Sequence, residues 1–231
     1  MGNIQTTMTE GLATKIAFTI PVLGGIKVSE SVLVNLILSA LIIVLVLLAT
    51  RNLKPDKPGR LQSMLEAMVG FINGFCKENI GRHWRHFAPW IGTITIYLTF
   101  ANLCGILGLT PPTKDVSITA SLAITSVFLI YGSQFRFLGA KGGFKRFAEP
   151  IPLLLPINLM EIGIRPLSLC MRLFGNVLGA FIIMELLKAV VPVIVPAAFS
   201  LYFDIFDGLI QVIVFVFLTT VFTGEAINEE E

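Results

Sequence analysis

Apolar residues run unbroken by any charge over Ser31–Thr50, Phe87–Thr113 and Val116–Phe135. Each run reaches the roughly 20 residues that carry an α-helix across about 30 Å of hydrocarbon. The pattern therefore predicts transmembrane helices over 31–50, 87–110 and 116–137. Between the first two, Leu61, Met64, Leu65, Met68, Val69, Ile72 and Phe75 recur at helical spacing within an otherwise polar stretch. That spacing predicts a helix over 61–80 lying along the membrane interface rather than through it. From Pro150 to Val190 the chain is almost continuously apolar, with no turn cluster to divide it. A helix over 150–190 would be about 60 Å long, twice the bilayer thickness. It must then be steeply tilted, with a bend at Pro166, or hide two half-spans; the missing turn favours one tilted helix. Pro192 and Pro196 break the chain, and a second long helix is expected over 197–223 with Gly224 as its C-cap. The whole reads as a single all-α membrane domain of five transmembrane helices and one interfacial helix, preceded by an N-terminal segment over 1–30.

Charge orients this plan. The loop Arg51–Arg60 holds four basic residues and two prolines, the turn Pro111–Asp115 one basic residue, and Arg136, Lys141, Lys145 and Arg146 cluster round two adjacent glycines. By the positive-inside rule both basic loops face the cytoplasm, with the N-terminus outside and, after five spans, the C-terminus inside. The acidic tail does not oppose this, because the rule counts Lys and Arg. Composition agrees: 55% of residues are hydrophobic and 14% charged, with a mean hydropathy of +0.83, where soluble domains carry about 25% charged residues. A net charge of +2 is too small to imply nucleic acid. Met1–Glu30 lacks the basic and apolar regions of a removed signal peptide, and the match of Met1–Thr6 to the myristoylation pattern is too loose to use. Three scattered cysteines, Cys76, Cys104 and Cys170, make no disulfide framework and read as packing residues. His83 and His86 are spaced for a metal but have no third ligand nearby, so they read as interfacial anchors. No metal and no cofactor are expected.

The chemistry lies in the charges that lipid should not tolerate. An ionised side chain at the bilayer centre costs at least about 2.5–3.5 kcal/mol, so those kept there face a cavity, a partner or an ion path. On one helix, Glu161, Arg165 and Arg172 fall within about 40° of each other, and Asn176 continues the stripe. Glu185 lies roughly 140° round from Arg172 and about 20 Å further along. On the last helix Asp204 and Gln211, seven apart, share a face, with Asp207 about 60° to the side. Glu161 and Arg165 stand at i, i+4 and suit a structural ion pair as well as a conduction role. Asp207 is either a path residue or a solvated end residue, and Lys188 suits snorkelling to the outer headgroups. Arg172 has no acidic neighbour at i±3 or i±4, and Leu173 and Phe174 follow it directly. An ion-coupled secondary transporter also uses intramembrane charges, but no internal repeat is evident. A membrane enzyme would need a nucleophile–base or metal constellation that these dispersed residues do not make.

The run Arg165-Pro166-Leu167-Ser168-Leu169-Cys170-Met171-Arg172-Leu173-Phe174-Gly175-Asn176 resembles the signature of subunit a of bacterial F-type ATP synthases, and Asp204 with Gln211 resembles its second segment. The resemblance implies a stator in the bacterial inner membrane that holds two aqueous half-channels against a rotating ring of c subunits. The c-ring, the b subunits of the peripheral stalk, membrane lipids and the translocated proton or sodium ion are its implied partners, and no nucleotide site is implied in this chain. Carried over, Arg172 matches the essential arginine, Asn176 and Gln211 match polar residues close to it, and Asp204 takes an outer half-channel position. Many relatives have Glu or His where this chain has Phe181; Glu185, one turn on, is expected to substitute. Glu161, Asn158, Arg165 and Ser168 are candidates for the inner half-channel, and Asp207 for the outer.

Overall fold

The computed structural model describes residues 16–20, 26–51, 53, 59–107, 111–147, 153, 155–190 and 194–227. Most of the expected N-terminal segment 1–30 lies outside them, as do 108–110, 150–152 and Pro192.

Among the described residues the architecture is helical apart from one antiparallel hairpin, β1 (Ile16–Ile20) with β2 (Ile26–Ser29). Its strands are rich in β-branched Ile, Val and Thr, which suit a pleated backbone, and no element was anticipated there. The helices are α1 (Glu30–Thr50), α2 (Arg60–Ile80), α3 (Trp84–Leu103), α4 (Val116–Arg146), α5 (Leu155–Val190), α6 (Ile194–Leu201) and α7 (Gly208–Ile227). A π-helical turn, Tyr202–Asp207, joins the last two.

Among the described residues, four helical stretches are long and apolar enough to cross a membrane: Glu30–Thr50, Val116–Gly139, Leu155–Met184 and Phe199–Ile227. The expected second span, α3, is not among them, because it opens on Trp84-Arg85-His86 and carries Pro89 and several threonines. Apolar side chains face outward freely. On α1, Leu36, Ile37, Leu47 and Leu48 are 61–64% exposed, an outward face that suits lipid rather than water.

The described residues fall into two compact units. The first gathers Met1–Val44, Tyr97–Thr119 and Arg172–Val212. Its small apolar centre is Leu38, Ala101 and Cys104, with Ile42 and Tyr97 against it. Two polar pairs lie here: Tyr97 Oη donates to Asn35 Oδ1 at 2.6 Å, and Ser29 Oγ to Asp115 Oδ2 at 3.2 Å. Asp115 also starts α4, its Oδ1 accepting the Ser117 N–H at 3.0 Å as an N-cap does.

The second unit gathers Leu45–Ile96, Ala120–Met171 and Ile213–Glu231. Its core holds Cys76, Ile80, Phe87, Ala88, Ile91 and Ile227. The amphipathic α2 docks by its C-terminal turn, where Cys76 and Ile80 are fully buried, while Leu61, Met64, Met68 and Val69 stay exposed. Those exposed residues belong to the predicted interfacial stripe. The chain then reverses at Gly81, whose φ of 75° lies in the left-handed region that glycine adopts without a Cβ penalty.

Two sequence expectations are corrected in this unit. The basic segment after the third span is helical rather than a loop: α4 breaks at Gly139 (φ 74°) and resumes to Arg146. Gln134 Nε2 donates to the Gly143 carbonyl at 2.9 Å and holds the resumed turn. Gly224 does not cap the last helix, which runs on to Ile227. It is there for close approach, since a Cβ at that position would collide with the Asn79 carbonyl oxygen. α5 passes through Pro166 without interruption.

Candidate functional site

The long helix α5 carries most of the candidate residues, and it runs helical through Pro166 and its glycines, with Glu161 and Arg165 four residues apart and Arg172 seven further on. The candidates divide between the two units.

In the first unit, Arg172 is half-buried beside the fully buried Leu173. Among the described residues its guanidinium has no ion-pair or hydrogen-bond partner. One turn on, Asn176 Nδ2 donates to Gln211 Oε1 of α7 at 2.7 Å. Gln211 is only 2% exposed, and its Nε2 has no hydrogen-bond partner among the described residues. A buried donor left unsatisfied costs about 1–3 kcal/mol. Arginine keeps its charge in any protein environment. The helix pair therefore presents a permanent cation, a carboxamide pair and a spare buried N–H donor.

Further along α5 stands Phe181, at the position where the resemblance leads to an expected Glu or His. Lys114, from the turn before α4, places Nζ 3.5 Å from the centroid of the Phe181 ring. A cation over a ring face is attracted to its negative quadrupole. Asp207 is half-buried at the end of the π turn. The backbone is helical at Glu185 and π-helical at Asp204, and the side chains of both lie outside the described set.

The second unit assembles an acid–base group at its polar end. Arg165 Nη2 donates to Glu161 Oε2 at 2.6 Å and to Glu225 Oε2 at 3.1 Å. Its guanidinium carbon also lies 4.5 Å from the centroid of the Phe222 ring. Arg146 Nη2 donates to the Glu225 carbonyl at 2.8 Å, and Asn158 Nδ2 to the Phe147 carbonyl at 2.9 Å. Ser168 is exposed. The i, i+4 ion pair is thus formed, and a second carboxylate that sequence reasoning placed in a polar tail joins it. The signal was present: Gln211, Leu218 and Glu225 are seven apart, which puts them on one helix face.

His83 and His86 both pack on Phe137, with ring centroids 4.5 and 5.7 Å away. The three cysteines are free and buried.

A family model described as the ATP synthase A chain matches residues 32–224. The chain is 33% identical over 207 residues to ATP synthase subunit a of Moorella thermoacetica, an alignment covering 89% of this chain and 94% of that one. It is 32% identical over 190 residues to the sodium-ion-specific ATP synthase subunit a of Propionigenium modestum, covering 75% and 66% respectively. It is 31% identical over 223 residues to ATP synthase subunit a 1 of Hahella chejuensis, covering 96% and 93%.

Proposed function

Since the chain belongs to the ATP synthase A chain family and is the ion-conducting stator subunit of the membrane sector, we propose that its ion path is organised round Arg172. The observation that carries this reading is the arginine's isolation beside the Asn176–Gln211 hydrogen bond.

The chemistry follows from solvation. A ring carboxylate facing lipid must be neutral, by protonation or by a bound cation, because a bare charge there is costly. Brought beside Arg172, the same carboxylate is favoured in its ionised form and releases its ion. The spare Gln211 Nε2 donor and the exposed Asn176 amide then help to hold the ionised carboxylate during exchange. Because Arg172 is not neutralised by a partner of its own among the described residues, its whole charge acts on the ring. The fixed cation also blocks direct leakage between the two half-channels. Asp204, Asp207 and Glu185 serve the outer path, and Glu161, Asn158, Ser168 and the Arg165 group the inner one.

The partners of this reading are a ring of c subunits at the Arg172 face, the b subunits of a peripheral stalk, and the surrounding lipid. The membrane is the bacterial inner membrane, with the basic segments 51–60 and 136–146 toward the cytoplasm. The coupling ion is a proton or a sodium ion, set largely by the ring. Each elementary charge falling through 100 mV yields about 2.3 kcal/mol, so several ions are spent for each nucleotide made.

Arg172→Ala in the whole synthase is expected to abolish ATP-driven ion pumping into vesicles while ATP hydrolysis by the detached soluble sector continues. Pumping within twofold of the parent would remove Arg172 from the path.

A further inference from the structure

The π turn Tyr202–Asp207 is the one stretch of non-α geometry within the last span, and it sits one turn before Gln211. On an unbroken α-helix the 204 position would lie within about 20° of Gln211 and the 207 position about 40° away on its other side. A π turn closes its ladder at i→i+5 and so accommodates one residue more than an α turn. Everything N-terminal to it is turned by up to about 100°, one residue's worth of helix rotation. The backbone at 204, inside the turn, is rotated out of the α-helical register with Gln211. The 207 position, at the turn's last residue, is joined to Gln211 by ordinary α-helix and keeps its place.

This geometry has a built support. Asn102, at the end of α3, is 6% exposed, and its Nδ2 donates to the carbonyl of Gly208 at 3.0 Å, the residue on which the π turn ends. Thr113, fully buried, donates its Oγ1 to Asn102 Oδ1 at 3.2 Å and fixes which way the amide faces. Gly208 is tight against the same residue: a Cβ there would come within 3.2 Å of Asn102 Cβ. The N–H of Gly208 bonds back to the carbonyls of Ile205 and Phe203. The Asn102 amide, oriented by Thr113, thus meets the backbone at the residue where the π turn ends, and the missing Cβ of Gly208 allows the close approach.

The geometry points to Asn102 as a positioning residue that locks the π turn, and to Asp207, rather than Asp204, as the carboxylate that shares the Gln211 face. This rests on the reading of Arg172, Asn176 and Gln211 as the centre of the ion path. Asp207 takes up the cation arriving from outside, as a proton on a carboxylate oxygen or an alkali ion against both oxygens. It then gives up the same cation to the ring carboxylate. The spare Nε2 donor of Gln211, itself almost wholly buried, lies one turn on and suits a carboxylate neighbour at i−4.

Two measurements on the assembled synthase in vesicles test the assignment. Asp207→Asn is expected to lower ATP-driven ion pumping at least tenfold, and Asp207→Glu to restore more than half of it; pumping by Asp207→Asn within twofold of the parent overturns the role of Asp207. In a complex whose native cysteines are replaced, Asp207→Cys is expected to react with a water-soluble methanethiosulfonate at least tenfold faster than Asp204→Cys. Adding Asn102→Ala should shrink that ratio to less than threefold. A faster reaction at 204, or a ratio indifferent to Asn102→Ala, overturns the register. The Arg172→Ala experiment fails or succeeds separately: normal pumping there removes the path reading itself, whereas loss of pumping with a silent Asp207→Asn removes only this inference.

Discussion

At the scale of single residues, the chemistry turns on which charges have partners. Arg172 and Arg165 lie seven residues apart on α5, yet Arg165 is held by two carboxylates while Arg172 has none among the described residues. The first difference suits a charge that must act outward, the second a charge that fastens helices together. Lysine cannot replace Arg172 on these terms, since a desolvated ammonium sheds its proton readily. Arg172→Lys is expected to cut ATP-driven pumping more than tenfold, measured by ion uptake into vesicles, with the subunit still incorporated. Arg165→Ala leaves Glu161 and Glu225 facing each other without their cation. Both acids are about half exposed, so the loss is discounted for solvent screening to the order of 1 kcal/mol, or a fall of about 2–4 °C in thermal unfolding. Glu225→Gln should cost less than half as much, because Glu161 keeps the arginine paired. The i, i+4 pair is formed, where sequence reasoning left Glu161 and Arg165 open between a structural ion pair and a conduction role. It overlooked Glu225, because a carboxylate in an acidic tail looks solvated until the partner helix is known.

At the scale of elements, the apolar runs made the helices legible, since length and hydropathy decide whether a segment can cross lipid. What stayed hidden were the irregularities, and each has a long-range cause. The π turn carries no mark of its own in Tyr-Phe-Asp-Ile-Phe-Asp; it is held by an amide about a hundred residues earlier in the chain. The break at Gly139 was read as the end of a helix because a local pattern cannot show that Gly143 is gripped by Gln134. Gly224 looked like a cap because glycine after an apolar run often is one. Its neighbour Asn79 comes from α2, and only the folded chain brings the two together. Gly224→Ala is therefore expected to destabilise the subunit by about 1–3 kcal/mol through overpacking against backbone. Gly70→Ala, where an added Cβ meets nothing within 4 Å, should be neutral or stabilising by up to about 1 kcal/mol. Thermal unfolding of the two variants side by side checks both; equal melting would show that the close approach carries no energy.

At the scale of the whole molecule, many large apolar side chains among the described residues are exposed, and the buried positions include polar ones. Thr113, Thr119, Thr220 and Thr223 are fully buried, with hydroxyls that bond mainly to their own helix backbone, as in Thr220 to Val216 and Thr223 to Thr219. Such residues fill space without leaving a donor in lipid. The cysteines report on the same interior. Burial pushes the Cys76 thiol up to about 11, since the thiolate loses its hydration there. A raised value means the neutral thiol prevails at neutral pH, and the side chain is fully buried besides. Cys76 is expected to resist maleimide at pH 7 at least a hundredfold longer in the folded complex than after denaturation, read by mass shift. Rapid labelling of the native protein would mean that α2 undocks readily.

The junction of Asn79 with Gly224 also sets a clock. Its two halves are made roughly 145 residues apart, and ribosomes add about 5–20 residues per second. The amphipathic helix is thus synthesised some 7–30 s before its last neighbour exists. During that interval Phe87, Ala88 and Ile91 are already there for Cys76 and Ile80 to pack against, but Ile227 is not. Maturation of this subunit is then a matter of waiting for its own last turn, and a nascent chain halted before Gly224 should still offer Cys76 to a thiol reagent.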